Sequence, residues 1–409
     1  MPPPAFPQAL RFWLKLGFIS FGGPAGQIAI MHREVVSTRG WVTDREFAQA
    51  LNFCMVLPGP EALQLAIYLG WRLHGTRGGI AAGLCFILPA VCILLGLSFL
   101  YVSFGELPGV AAALVGLKAT VVALILHAMQ RLAGRALVRP VDWVLAIGAF
   151  VALAGLVVPF PVVLLVAAAV GAATAGSAGE VDAGVTVSGS PWRVLAAGFL
   201  LWLVPLVVVV SIAGSLPVAG DVYRFFTQAA LVTFGGAYAV LAYVQQQAVE
   251  VQGWLTAGQA ATGLGLAEST PGPLVIVLQF VGFMAGWNTP GGWSPPTAAT
   301  LTALLAAYAT FLPSFVFILA GAPYVARLEG VPRLAGALAG VTAAVVGVIA
   351  SLGWSFGRAV LWPDPAASPA WAAVAIAVVA FILLWRTRMG LLWVLAGGMA
   401  AGVVLAGAR

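Results

Sequence analysis

Apolar runs about as long as a bilayer is thick follow one another almost without pause from residue 10 to residue 407. A membrane helix needs about 20 mostly apolar residues. The stretches that qualify are 10–32, 46–70, 78–104, 108–130, 141–158, 160–176, 192–214, 222–246, 257–284, 297–324, 331–356, 369–385 and 388–407, about 13 spans. Pro159-Phe160-Pro161 divides one long apolar block into a hairpin of two short helices, and Arg386 and Arg388 divide the last block likewise. Charged residues make up 8% of the 409 and hydrophobic ones 62%. Soluble domains carry about 25% charged residues, and a soluble fold of this length could not cover so much apolar surface. The expected fold class is an all-α polytopic membrane protein.

Several other classes drop out. Met1-Pro2-Pro3-Pro4 is not a basic leader, and no small-residue cleavage site follows, so the first apolar run is expected to be retained. Cys54, Cys85 and Cys92 lie in apolar stretches without CxxC spacing and read as small core hydrophobes. His32, His74 and His127 are scattered. No metal, cofactor or nucleic-acid partner is expected, and no nucleotide-binding motif occurs. The net charge of +6 reads through topology. With the N-terminus inside, twelve basic residues (Arg11, Lys15, Arg72, Arg77, Arg131, Arg135, Arg139, Arg193, Arg327, Arg333, Arg386 and Arg388) fall on the cytoplasmic side. Six (Arg33, Arg39, Arg45, Arg224, Arg358 and Arg409) fall outside. The excess sets a cytoplasmic N-terminus in a multi-pass inner-membrane protein.

The chain repeats itself. Phe21-Gly22-Gly23 returns as Phe234-Gly235-Gly236, Gly40-Trp41 as Gly253-Trp254, and Pro58-Gly59-Pro60 as Pro271-Gly272-Pro273, each 213 residues later. Leu88-Pro89 returns as Leu312-Pro313 at an offset of 224, which places an insertion near 285–297. A stretch rich in Gly, Ser and Ala, 177–191, divides the copies. The expected organisation is a first transmembrane repeat over 1–176, a linker with a connecting helix over 177–220, and a second repeat over 221–409. Seven crossings precede the second copy, and an odd number turns it upside down.

The breaks carry the chemistry. Pro and Gly inside a membrane helix leave backbone groups without partners, at a cost of several kcal/mol per group in hydrocarbon. A helix restarting after such a break points N–H groups and a partial positive charge into the gap, where an oxyanion fits. The candidate substrate-binding residues are Gly22, Gly23, Pro58, Gly59, Pro60, Gly235, Gly236, Pro271, Gly272 and Pro273, with Lys15 and Arg33 as sources of positive charge. A lone Pro would read as a simple kink; a matched Pro-Gly-Pro in two inverted halves reads as a site. Glu61 and Glu268, beside the two breaks, are candidate coupling carboxylates, set against a reading as structural or helix-terminal charges. Gln245-Gln246-Gln247 stands where the first copy has His32-Arg33-Glu34, so the site is expected to be asymmetric and weighted toward the first half.

These residues resemble the chromate ion transporter family, as a long two-domain member. The resemblance runs through Phe21-Gly22-Gly23-Pro24, Gln27 to Glu34, Gly40-Trp41, Leu57 to Ala62, Gln64 to Gly70 and Phe86 to Pro89. In the second half it runs through Thr233 to Gly236, Gly253 to Thr256 and Ala267 to Pro273. It implies secondary export of chromate by alternating access, with sulfate as a chemical analogue, and chromate resistance as the result. Pro24 has no counterpart after Gly236. The expected partners are the oxyanion and the lipid bilayer, with a homodimer admitted as an assembly. A membrane enzyme or lipid-headgroup carrier is the competing class. The enzyme would show His, Asp or Glu clustered at one membrane face, and the chain shows no such cluster.

Overall fold

The computed structural model describes residues 4–156, 158–175, 191–234, 237–324, 332–364, 366, 368–387 and 389–407. Among them there is no strand. The helices are α1 (Phe6–Ile19), α2 (Gly23–His32), α3 (Asp44–Val56), α4 (Glu61–Phe104), α5 (Pro108–Ala136), α6 (Pro140–Ala154), α7 (Phe160–Ala173), α8 (Pro191–Ile212), α9 (Val218–Leu231), α10 (Ala237–Val244), α11 (Ala257–Glu268), α12 (Val277–Asn288), α13 (Pro295–Gly321), α14 (Pro332–Leu361), α15 (Trp371–Arg386) and α16 (Leu391–Gly407). Five helices, α4, α5, α8, α13 and α14, are long and apolar enough to cross a membrane. α6, α7, α15 and α16 are shorter and equally apolar. Large apolar side chains such as Trp143, Val144, Leu165, Trp192, Phe199 and Val207 are exposed. Apolar surface on this scale is stable in lipid and not in water. The molecule is a multi-pass membrane protein.

The chain forms two compact units, and neither is a sequence half. One contains 1–95, 177–237 and 270–332; the other contains 96–176, 238–269 and 333–409. Both copies of the repeat contribute to each.

In the first unit, the two spans expected at 10–32 and 46–70 are each two helices separated by a break. α1 and α2 are interrupted at Ser20-Phe21-Gly22, and α3 and α4 at 57–60. His74 Nε2 lies 2.7 Å from the carbonyl oxygen of Pro4, ahead of α1. Arg72 pairs with Glu46 at the start of α3 at 2.9 Å. His32, at the end of α2, pairs with Asp44 at 2.7 Å. The start of α1, the end of α2, the start of α3 and residues 72–74 therefore share one end of the unit, and both breaks lie at the other. These segments are re-entrant hairpins. This corrects the expected topology, which put residues 33–45 and 72–77 on opposite sides. Hydropathy counts apolar residues and is blind to a chain that turns back. A helix of 14 residues is about 21 Å long, and half a hydrocarbon core is about 15 Å, so each hairpin is long enough to reach a midplane.

α4 itself folds back. His74 (φ −140°, ψ 24°) and Gly75 (φ 63°, ψ −157°) are non-helical and join two antiparallel stretches. Gly70 and Gly78 sit against each other's carbonyl oxygens there, where a side chain would not fit. α12 and α13 pair in the same manner, with Gly282 and Gly286 against Thr302.

The second copy reproduces the first in detail. α1 buries Ala9, Phe12, Trp13, Leu16 and Gly17. α9 buries Val222, Phe225, Phe226, Ala229 and Ala230, the same positions displaced by 213. Their spacing of three and four residues is one face of a helix. A π turn follows α2 (Arg33–Thr38) and another follows α10 (Gln245–Val251). Gly40 and Gly253 end these turns at φ 59° and 63°. Thr43 with Glu46, and Thr256 with Gln259, then start α3 and α11 as reciprocal capping boxes, which satisfy two otherwise free N–H groups each. Ser215, ahead of α9, accepts a bond from Gly292 N–H after α12 at 2.9 Å, as Pro4 meets His74 in the first copy.

Candidate functional site

The breaks of both copies meet in the first unit. Gly59 donates its N–H to the carbonyl of Thr233 at 2.8 Å, and Gly272 donates to that of Ser20 at 2.9 Å. Ser20 and Thr233 are the residues immediately before the two Phe-Gly-Gly turns. Each Pro-Gly-Pro thus bonds to the chain end that opens the other copy's turn. The match continues one step further out. The Ser20 hydroxyl donates to Leu16 O and the Thr233 hydroxyl to Ala229 O, both at 2.6 Å. Phe21 N–H bonds Ile19 O and Phe234 N–H bonds Val232 O, both at 3.0 Å.

The glycines serve two purposes. Gly59 (φ 131°) and Gly272 (φ 107°) are at close approaches. A Cβ on Gly59 would come within 2.7 Å of Gln64 Nε2 and Ser314 Oγ, and one on Gly272 within 2.7 Å of Ala90 Cβ. Gly22 (φ 91°) and Gly23 (φ 70°) are also left-handed, but a Cβ there would meet nothing within 4 Å. Their backbone requires glycine, while the turn faces open space at the N-terminus of α2. Gly235 and Gly236 lie outside the described residues. Pro60 precedes the first residue of α4, Glu61, and Pro273 precedes a 3₁₀ turn, Leu274–Ile276, that leads into α12. Pro58 and Pro271 open the respective breaks.

The two crossings differ chemically. Ser314 and Ala90 are equivalent at the offset of 224, so the hydroxyl occurs at the Gly59 crossing only. Gln64 is fully buried; its Nε2 donates to Pro58 O at 2.7 Å and its Oε1 has no partner. The Ser314 hydroxyl is buried without a partner as well. Gln27 donates through Nε2 to Ser20 O at 3.2 Å and to Gly272 O at 2.5 Å, again leaving Oε1 unpaired. Buried polar atoms without partners are uncommon and costly. Gln64 Oε1 and Ser314 Oγ lie at the Gly59 crossing and Gln27 Oε1 at the Gly272 crossing, so both crossings carry unpaired polar atoms and only the first carries an unpaired hydroxyl. Sequence reading did not single out Gln64, Ser314 and Gln27 because they are neutral; for Gln27 and Gln64 the usable signal was a polar residue within four positions of a break, and for Ser314 its place beside Pro313, the counterpart of Pro89.

The expected cations are elsewhere. Lys15 projects from the exposed face of α1, and Arg33 is exposed at the start of the π turn. Neither joins an ion pair among the described residues. Glu61 is half-buried at the first turn of α4, beside the Gly59 crossing. Glu268 is buried at the end of α11 in the second unit, where the Tyr238 hydroxyl donates to its Oε1 at 2.5 Å. Lys118, unremarked in the sequence reading, is half-buried in the middle of α5. A lone ammonium inside an apolar run was signal enough to find it.

Duplicated helix breaks and an apolar, lipid-facing exterior define a polytopic membrane protein with broken helices. The Chromate transporter family profile matches residues 7–172 and 220–403. The chain belongs to the chromate transporter family. It is similar to the chromate transport protein of Pseudomonas aeruginosa, with 34% identity over 98% of this chain and 93% of that protein. It is also similar to the chromate transport protein of Cupriavidus metallidurans, with 29% identity over 84% and 80%. A probable chromate transport protein of Synechococcus elongatus is 30% identical over 94% and 91%. No solved structure matches the chain.

Proposed function

We propose that the protein exports chromate, with sulfate-like tetrahedral dianions as analogues, across the inner membrane by alternating access, conferring chromate resistance. The observation that carries this reading is the reciprocal bonding of Gly59 to Thr233 and Gly272 to Ser20. It holds the broken helix ends of both copies together and leaves the Gly22-Gly23 turn open. The N–H groups of a helix's first turn have no intrahelical partner and favour an oxyanion. The unpaired Ser314 hydroxyl at the Gly59 crossing, where the other crossing has Ala90, supports an asymmetric site.

The second copy is inserted upside down relative to the first. Three passes long enough to cross, the latter part of α4, α5 and α8, separate the two sets of hairpins, and the short pair α6 and α7 runs out and back, so the number is odd either way. The hairpin topology also supports an inside N-terminus. Moving Arg33, Arg39 and Arg45 to the side of Arg72 changes the tally of basic residues from twelve against six to fifteen against three. An inside-negative potential favours exit of a dianion by about 2.3 kcal/mol per charge per 100 mV. In this reading Glu61 and Glu268 are the carboxylates that couple that movement to protons.

Chromate uptake into inside-out vesicles, compared with right-side-out vesicles under an imposed potential, tests the reading. Potential-driven uptake of chromate, competed by sulfate, is expected in the inside-out preparation. Purified protein that moves neither ion in liposomes would overturn it.

A further inference from the structure

The second π turn, Gln245–Val251, roofs a cleft in the second unit that the anion site does not use. Its cavity volume is about 30 Å³. A single water needs about 10–15 Å³ of such volume, so one largely dehydrated ion with a water beside it has room there. The polar lining is Gln245, Gln246, Glu250, Ser351 and Ser355, and aliphatic residues of α6, α10 and α14 form the rest.

Each polar group has a determinate role. Gln246 is fully engaged: its Nε2 donates to Val158 O at 3.1 Å and its Oε1 accepts from Phe160 N–H at 3.3 Å. These bonds anchor the turn to the hinge between α6 and α7. Gln245 is 6% exposed, and its Oε1 has no partner. The Ser351 hydroxyl donates to Val348 O at 2.8 Å, which leaves its oxygen lone pairs free to act as ligands. Glu250 brings a carboxylate to the rim, and Ser355 a second hydroxyl one turn along α14. No Lys, Arg or His is among the lining residues; Arg358, the next cation on α14, is exposed. An unpaired amide oxygen can be satisfied by a hydrogen-bond donor or a cation, never by an anion.

We propose that this cleft binds a monovalent alkali cation, with Gln245 Oε1, the Glu250 carboxylate and the Ser351 and Ser355 oxygens as ligands. Hard oxygen donors select alkali and alkaline-earth ions over metals that prefer nitrogen or sulfur. Calcium takes six to eight oxygens, commonly with several carboxylates, whereas a single carboxylate balances a single charge. The polar set belongs to the second copy's sequence. At the equivalent first-copy positions stand His32, Arg33 and, in place of Glu250, Ser37, a set that repels a cation. π turns of this kind recur at functional sites.

The test is equilibrium binding of radioactive sodium to the full-length protein in nanodiscs, without chromate, in a choline background. Saturable binding at one ion per chain, displaced by unlabelled sodium and not by choline, is expected. Glu250→Gln and Gln245→Leu should each weaken it about tenfold, while Glu106→Gln, a carboxylate outside the cleft, leaves it unchanged. A wild-type protein that binds neither sodium nor rubidium saturably holds only water in the cleft, and the proposal fails whether or not the variants fold. Binding that survives both cleft variants, or that Glu106→Gln reduces equally, overturns it too. Because no oxyanion is present, this outcome is independent of the export reading.

Discussion

At the residue scale, two glycine classes give opposite expectations. Gly59 is excluded from bearing a side chain by its backbone angle and by Gln64 and Ser314; Gly22 is excluded by its angle alone. A left-handed non-glycine residue costs about 1–2 kcal/mol, and forcing a methyl group into a packed site adds about 1–3 kcal/mol. Gly59→Ala should therefore lower the melting temperature of the purified protein distinctly more than Gly22→Ala, as thermal unfolding in detergent would measure. Ser314→Ala removes a buried hydroxyl that bonds nothing in the protein. It should leave stability nearly intact and raise the KM for chromate several-fold, whereas Ala90→Ser at the equivalent position should not improve transport. Equal KM values for Ser314→Ala and the parent would remove the hydroxyl from the site. Glu268→Gln should flatten the pH dependence of transport, and Tyr238→Phe, which deletes the bond to Glu268 Oε1, should shift that profile without abolishing it. A pH profile unchanged in Glu268→Gln would reduce Glu268 to a structural group.

At the scale of elements, the decisive feature is that both first-copy hairpins return to the side they enter. In a variant whose three cysteines are replaced by alanine, Arg45→Cys and Arg77→Cys should react with a membrane-impermeant thiol reagent from the same side of sealed vesicles, and Gln252→Cys from the opposite side. Labelling of Arg45→Cys and Arg77→Cys from opposite sides would restore a full crossing at 46–70. Much of this level was legible beforehand. The Phe-Gly-Gly and Pro-Gly-Pro motifs located the breaks, and the offset of 213 aligned the copies whose buried faces, π turns and caps the structure then matches. The reversals were not legible. Gly22 or Pro58 permits a kink or a turn equally well, and only the contacts of His74 with Pro4 and Arg72 with Glu46, made by residues far apart in the chain, distinguish them. Lys15 and Arg33 drew notice through charge and sequence proximity, but a helix rotates residues away from its neighbours' faces, and both point outward. Gln64 and Ser314 gave no such signal because an amide or hydroxyl in an apolar run is unremarkable until its partners are counted.

At the scale of the molecule, each compact unit needs chain from both copies. The first unit takes 221–237 and 270–332 from the second copy, and the second unit takes 96–176 from the first. A chain cut between the copies, at Gly184, should be inactive as either fragment alone and regain chromate transport when both are co-expressed. Transport by the first fragment on its own would show that the crossings between copies are dispensable.

Those crossings are made by main-chain atoms. Gly59 N–H to Thr233 O and Gly272 N–H to Ser20 O name no side chain beyond the glycine that lets the strands approach. The bonds therefore survive wide divergence elsewhere, as Ser314 against Ala90 illustrates. They are also indifferent to covalent continuity. A half-length polypeptide that inserted in both orientations would supply donor and acceptor of each bond from two separate molecules. Fusion of two such genes would fix one orientation per copy and free equivalent positions, such as 90 and 314, to diverge.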